Sequence, residues 1–453
     1  MNEQKQRSLF SGRLGYVLSA AGASVGLGNI WRFPYLAAEY GGGMFLLVYI
    51  LLAVSFGYTM IISETAIGRM SGKSPVGAFR YYTRTKFGKA GGWINAVIPV
   101  LIVPYYSVIG GWVCRYLFSY VSGHGNGMAD AAVFNDFVGS GTQQIFWFTV
   151  FAALVLCIIF MGVEKGIERV SRVMMPVLVV LGLIIAGYSV TRPGALAGVK
   201  YFLIPDFSHF SWMTVVAALG QMFYSLSIAM GILITFGSYM KKDTDMEASC
   251  IQVEIFDTAI AVLAGLIIIP AVFAYSGPSA LNSGPSLMFV TMPMIFADMG
   301  LGKLIGILFF LLVLLAALTS AIALTESCVS TFEDEFRWSR TKGTIVMGII
   351  MMILGSLSCL GFNVLRNVTP FGMSFLDFFD FLTNSLMMPV AAIMICLLVL
   401  NHATVEEIIR EVETGSSFKR KGLYRFVLKY LAIPFLCVIL ASSVASVLGI
   451  IHI

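Results

Sequence analysis

The chain has 453 residues, of which 58% are hydrophobic and 12% charged, with a mean hydropathy of +0.88. A soluble domain carries roughly 25% charged residues, so a water-soluble globule is excluded and a polytopic helical membrane protein is indicated. The net charge of +5 is gathered in particular loops, so it reports topology rather than an acidic partner such as nucleic acid.

Spans of about 20 apolar residues predict eleven segments, at 12–37, 42–70, 90–121, 145–163, 167–190, 211–239, 250–276, 302–333, 343–361, 375–400 and 424–451. The polar start, Met1 to Arg7, runs directly into the first segment and does not resemble a cleavable signal peptide. Loops after even-numbered segments hold Lys73, Arg80, Arg84, Lys86 and Lys89, then Lys165, Arg169 and Arg172, with further Lys/Arg groups at 241–242, 337–342 and 419–421. The alternate loops at 122–144 and 277–301 have no Lys or Arg. This asymmetry places the N-terminus and the basic loops in the cytoplasm. An odd number of spans then puts the C-terminus outside, with the chain multi-pass in the inner (plasma) membrane.

Segment one contains Ala20-Ala21-Gly22-Ala23-Ser24-Val25-Gly26-Leu27-Gly28-Asn29, with three glycines within seven residues. Glycine weakens a helix, and unwound backbone in a bilayer is tolerated only where protein or a cavity satisfies its polar groups. A second interruption is expected in segment six, around Gly220 to Gly231. Two broken helices five segments apart point to an inverted repeat with its site at the midplane. The first five-helix repeat is then 12–190 and the second 211–400, with 424–451 an additional eleventh helix in a single transporter domain, 1–453.

Ionisable or hydroxyl groups near mid-depth are few: Arg32, Glu64, Tyr106, Ser225, Ser227, Asp257, Thr319, Ser320 and Asp380. Each is costly in a membrane and is a functional candidate. Glu64 is expected to be structural, accepting hydrogen bonds from unwound N–H groups of segments one and six. Gly166 and Pro176 weaken segment five between them, so that its intervening turn can unwind, with a static kink as the alternative. No His cluster has metal-site spacing, which argues against a membrane metalloenzyme.

The run Arg13-Leu14-Gly15, Gly26-Leu27-Gly28-Asn29-Ile30-Trp31-Arg32-Phe33-Pro34-Tyr35, Gly41-Gly42-Gly43, Glu64 and Gly68-Arg69 resembles the opening of the neurotransmitter:sodium symporter family, including its LeuT-type bacterial amino-acid transporters. Lys165 to Arg169, Gly220-Gln221, Ser225-Leu226-Ser227, Leu318-Thr319-Ser320 and Glu333-Asp334-Glu335 extend the resemblance in order to about residue 440. It implies an all-α membrane protein of eleven transmembrane helices with the LeuT-type 5+5 inverted repeat, broken in helices 1 and 6. It also implies secondary transport with two Na+ sites beside the substrate. The first takes the Ser24 carbonyl, Asn29, Ser225, Asp257 and the substrate carboxylate. The second takes the Gly22, Val25 and Ala316 carbonyls with the Thr319 and Ser320 hydroxyls. All are hard oxygen donors. Asp257 stands where relatives place a neutral Asn or bind chloride close by, and its fixed charge implies chloride independence.

By the same resemblance the substrate carboxylate meets the N–H groups of Gly26 and Leu27 and the Tyr106 hydroxyl. Gly at position 26, where monoamine carriers resemble this chain except for an Asp, requires the substrate to bring its own carboxylate. The substrate amine meets carbonyls around Ser24, Tyr224 and Ser225 with the Ser227 hydroxyl. Ala23, Ile102, Tyr224, Met230 and Leu324 line an uncharged side-chain pocket suited to a hydrophobic or aromatic L-amino acid. Arg32 with Asp380 is expected to close the outer side under Tyr106 and Tyr224. Arg7 with Asp334, near Tyr239 and plugged by Phe10, is expected to close the inner side. The expectation is therefore a sodium-coupled amino-acid symporter in the lipid bilayer, with a non-concentrating receptor or channel on the same scaffold as the alternative.

Overall fold

The computed structural model describes residues 9–275 and 285–447, and within them every regular element is helical. Nine helices are long and apolar enough to cross a membrane among these residues. In chain order the elements used below are α1 (Arg13–Ser24), α2 (Phe33–Glu39), α3 (Gly43–Ser71), α4 (Lys86–Val121), α5 (Gly141–Phe160) and α6 (Val163–Val190). They continue with α7 (Trp212–Ser225), α8 (Ile232–Gly237), α9 (Met246–Tyr275), α10 (Gly302–Phe336), α11 (Arg340–Leu360), α12 (Phe375–Ala403) and α13 (Lys421–Val447).

The two segments missing from the nine are the interrupted ones. The first stops when Val25 turns extended (φ −71°, ψ 101°), and the chain resumes through a wide turn at Gly28–Arg32 into α2. The second unwinds between α7 and α8, where Ser227 (φ 54°) and Ala229 (φ 60°) take left-handed conformations ahead of Gly231 (φ 71°). Non-glycine residues seldom accept that region and hold it only where surrounding contacts impose it.

Burial places these breaks at the centre. In α1 every residue from Gly15 to Ser24 is buried, and α1 packs against α6, α9 and α10. The stretch of α10 from Ala316 to Phe332 is buried all round, as expected of a helix surrounded by other helices. The longest helix, α4, lies along α10 and carries Pro99 and Pro104 without interruption. By contrast α13 sits at the periphery, touching α12 and α7 and exposing most of its surface.

Sequence-based boundaries agree with the helix ends to within a few residues wherever those ends fall among the described residues; the expected ends at 276 and 451 lie outside them. Short helices between the spans went unpredicted, at Pro75–Tyr82, Ala131–Gly139, Ala195–Leu203 and Val405–Glu413.

Candidate functional site

The break after α1 leaves backbone groups that must find partners. Gly26 N–H donates to Asn29 Oδ1 (3.0 Å) and Leu27 N–H donates to the Tyr106 hydroxyl oxygen (3.2 Å). The Gly28 carbonyl accepts from Gln221 Nε2 on α7 (3.1 Å). Both N–H groups assigned to a substrate carboxylate are thus already hydrogen-bonded, one of them to the Tyr106 hydroxyl expected to share that role.

Asn29 is the corner of a fully buried polar cluster. Its Nδ2 donates to Ser225 Oγ (2.9 Å) and Asp257 Oδ1 (2.8 Å), while Ser225 Oγ donates to Asp257 Oδ1 (2.9 Å). The second Asp257 oxygen accepts from the Tyr49 hydroxyl (2.9 Å). Tyr49 is absent from the sequence-derived site, because an aromatic in an apolar span has no signal that separates it from packing. Asn29, Ser225 and Asp257 come together as expected, with Ser24 directly beside the break.

A second cluster joins the same break to α10. The Ser320 hydroxyl lies 3.2 Å from the Gly22 carbonyl oxygen, 3.1 Å from that of Ala23 and 3.0 Å from that of Val25. Thr319 Oγ1 donates to the Ala316 carbonyl (3.0 Å). All five residues assigned to the second cation are therefore assembled. Among the described residues no group of three or more His, Cys, Asp or Glu side chains could hold a metal. The oxygens of carbonyls, hydroxyls and one carboxylate suit a hard monovalent cation instead.

Between the clusters lies a narrow cavity of about 30 Å³. Its wall includes all eleven residues expected to touch substrate: Ala23, Ser24, Gly26, Leu27, Ile102, Tyr106, Tyr224, Ser225, Ser227, Met230 and Leu324. Gly28, Asn29 and Ser320 complete it, and no charged side chain lines it. Ser227 Oγ donates to the Ala23 carbonyl (3.2 Å), tying the second break to the first. A Cβ on Gly28 would stand 2.5 Å from Tyr224 Cε1, so this ring closes over the site only because position 28 has no side chain.

The gate residues differ from expectation in detail. Arg32 and Asp380 form no direct ion pair: the Arg32 guanidinium lies over the Tyr224 ring (5.5 Å), and Asp380 Oδ1 accepts from Tyr105 (3.2 Å) and Asn384 (2.5 Å). Each group is thus satisfied locally, Arg32 by the Tyr224 ring and Asp380 by the Tyr105 hydroxyl and the Asn384 amide. Tyr105 rather than Tyr106 touches the acid. At the opposite end Asp334 Oδ2 accepts from Ser74 N–H (2.7 Å), while Arg7 lies outside the described residues. Tyr239 donates to Glu326 Oε1 (2.7 Å), and Arg340 clamps both oxygens of that buried acid (3.1 and 2.5 Å). Glu326 therefore belongs to a network joining the turn that follows α8 with α10 and α11. Phe10 is buried edge-on against Tyr16, Phe236 and Tyr239.

Glu64 is fully buried and accepts from Ala229 N–H (2.7 Å). That bond comes from the second break alone, a correction to the expected bridge to both: its other oxygen, Oε2, has no partner among the described residues. Gly166 sits in a wide helical turn, Val163–Glu168, and the helix continues wound through Pro176, so this conformation shows no unwinding there.

Comparison with known proteins agrees with this geometry. The family described as the Sodium:neurotransmitter symporter family matches residues 7–125 and 134–450. The uncharacterized sodium-dependent transporter YhdH of Bacillus subtilis is 33% identical over 99% of this chain and 100% of its own length. The human Sodium- and chloride-dependent GABA transporter 2 is 26% identical over 84% of this chain and 70% of its own. Among solved structures, MhsT in complex with L-phenylalanine superposes with a TM-score of 0.87 at 36% identity, covering 96% of this chain and 100% of that one. The chain therefore belongs to the sodium:neurotransmitter symporter family, and it is a multi-pass, sodium-dependent membrane transporter rather than an enzyme.

Proposed function

We propose that the protein is a sodium-coupled symporter that imports a hydrophobic or aromatic L-amino acid by alternating access. The observation carrying this is the division of the cavity wall. Polar groups cluster at the first break with Tyr106, Ser225 and Ser227, while Ala23, Ile102, Met230 and Leu324 supply an apolar remainder with no charged side chain. A ligand matching that division has a compact polar head and an uncharged side chain, as an α-amino acid does. The L-phenylalanine held by the MhsT structure supports the same substrate class.

Gly26 and Leu27, where the chain re-enters a helix, face the carboxylate with Tyr106, an arrangement favoured by the positive helix end. To accept it, the bonds of these N–H groups to Asn29 and Tyr106 rearrange. One sodium ion is held by Ser24, Asn29, Ser225 and Asp257, and a second by Gly22, Val25, Ala316, Thr319 and Ser320. The fixed charge of Asp257 makes transport independent of chloride. The chain crosses the plasma membrane eleven times, with α1–α2 and α7–α8 each counted as one broken span. Residues 12–190 and 211–400 form inverted repeats and 424–451 a supernumerary span. Its N-terminus is cytoplasmic and its C-terminus outside, because the Lys/Arg-rich loops lie on one side. Arg32 and Asp380 guard the outer approach, and Asp334 with Arg7 and Tyr239 the inner one.

The test is uptake of radiolabelled phenylalanine into proteoliposomes, with tryptophan, leucine and tyrosine as competitors. Accumulation above the outside concentration only under an inward sodium gradient is expected. Equilibration without accumulation would establish a channel, and uptake indifferent to sodium would overturn the coupling.

A further inference from the structure

A second cavity, of about 580 Å³, lies away from the central site, between the short helix Pro75–Tyr82 and the start of α4. Val76, Arg80, Thr83, Arg84, Lys89 and Trp93 line it. Arg80 pairs with Glu335. Among the described residues Arg84 and Lys89 have no carboxylate within ion-pairing distance, so the pocket holds uncompensated positive charge.

The surroundings distinguish this pocket from an ordinary solvated patch. Trp93 is 38% exposed and meets Phe336 (6.1 Å), which is 46% exposed and stacks on Trp338 (5.0 Å). Lys342 lies over the Trp338 ring (4.5 Å). Trp93 lies four residues beyond Lys89, so about one turn further along α4, and exposed indole rings favour the boundary between lipid and water. Cationic side chains just outside an aromatic belt are arranged for a phosphate carried at the membrane surface.

We propose that this pocket binds the phosphate headgroup of an anionic phospholipid, with Arg84 and Lys89 contacting the phosphate, Arg80 anchored at the rim by Glu335, and Trp93 beside the acyl chains. The site is separate from the transport cavity and shares no residue with it.

The experiment is native mass spectrometry of the purified full chain titrated with phosphatidylglycerol or with phosphatidylcholine, each with and without inorganic phosphate. Wild type is expected to retain phosphatidylglycerol in preference to phosphatidylcholine. Each surface Lys or Arg contributes about fivefold to anionic-lipid attraction, so the double variant Arg84→Gln/Lys89→Gln should weaken retention roughly 30-fold. The charge-conserving Arg84→Lys/Lys89→Arg should keep it, and Lys165→Gln/Arg410→Gln, which removes two charges elsewhere, should change it less than about twofold. Equal losses in the two Gln pairs, or no preference between the lipids, would overturn the proposal and leave these charges a topological role alone. Displacement of the lipid by inorganic phosphate that itself binds the pocket would overturn the lipid source. Loss of binding in the charge-conserving pair as well as the Gln pair would also count against it, provided both variants elute as monodisperse protein.

Discussion

Gly26→Asp puts the proposed carboxylate position to its most direct test. A Cβ at residue 26 would stand 2.8 Å from Ser320 Oγ and 3.0 Å from the Tyr106 hydroxyl. Both contacts are with the ends of side chains, so the crowding alone should cost about 1–3 kcal/mol, the usual range for overpacking. An aspartate also brings a negative charge against the substrate carboxylate. Two like charges about 4 Å apart at an effective dielectric of 20 repel by about 4 kcal/mol, or about a thousandfold in affinity. Gly26→Ala carries the steric term without the charge and is the control. The assay is sodium-dependent binding of labelled phenylalanine to purified protein, beside an amine analogue that lacks the carboxylate. Amino-acid binding should fall about a thousandfold further in the Asp variant than in the Ala variant, while the amine should lose much less. A difference of less than about tenfold between the two variants would refute the placement.

Replacing chloride with gluconate should leave uptake unchanged, and a fall to background would show that the Asp257 charge does not stand in for the anion. Arg340→Met strands the fully buried Glu326, which should lower stability by about 3 kcal/mol, and Glu326→Gln added to it should recover part of the loss in a thermal-denaturation series. Gly28→Ala forces the Tyr224 ring from its place, at a cost of about 1–3 kcal/mol, and should weaken phenylalanine affinity in an equilibrium binding measurement. Pro176→Ala restores a helix hydrogen bond in α6 and should slow release of substrate from preloaded vesicles, whereas an unchanged rate would mean that the turn never unwinds.

The sequence exposed most of this architecture because a bilayer demands long apolar runs and punishes broken ones. Gly22, Gly26 and Gly28 mark the first interruption directly, and the run Gly220 to Gly231 contains the second, although α7 stays wound through Ser225. Details fixed by side-chain direction were not legible. Whether Tyr105 or Tyr106 meets Asp380 depends on helix rotation across a contact with α12. Tyr49 gave no sign that its hydroxyl would reach Asp257, since buried aromatic residues are ordinary in an apolar helix. Arg32 found an aromatic face, a partner that counting opposite charges cannot suggest. Glu64 was recognised as a buried anchor, but its bond to a single break required knowing where Ala229 points its N–H.

The left-handed residues between α7 and α8 carry a mechanical consequence. Ser227 and Ala229 each hold a conformation that costs on the order of 1 kcal/mol or more for a non-glycine residue. One is fastened through its hydroxyl to the Ala23 carbonyl and the other through its N–H to Glu64 on α3. The Ser227 bond thereby buttons the second interruption to the first while the Ala229 bond pins it to α3, so a torque applied to the first is delivered to the second against a fixed anchor. Freed of the Ser227 fastening, the link would relax toward ordinary dihedrals, and the pair would turn as two loose joints in place of one hinge.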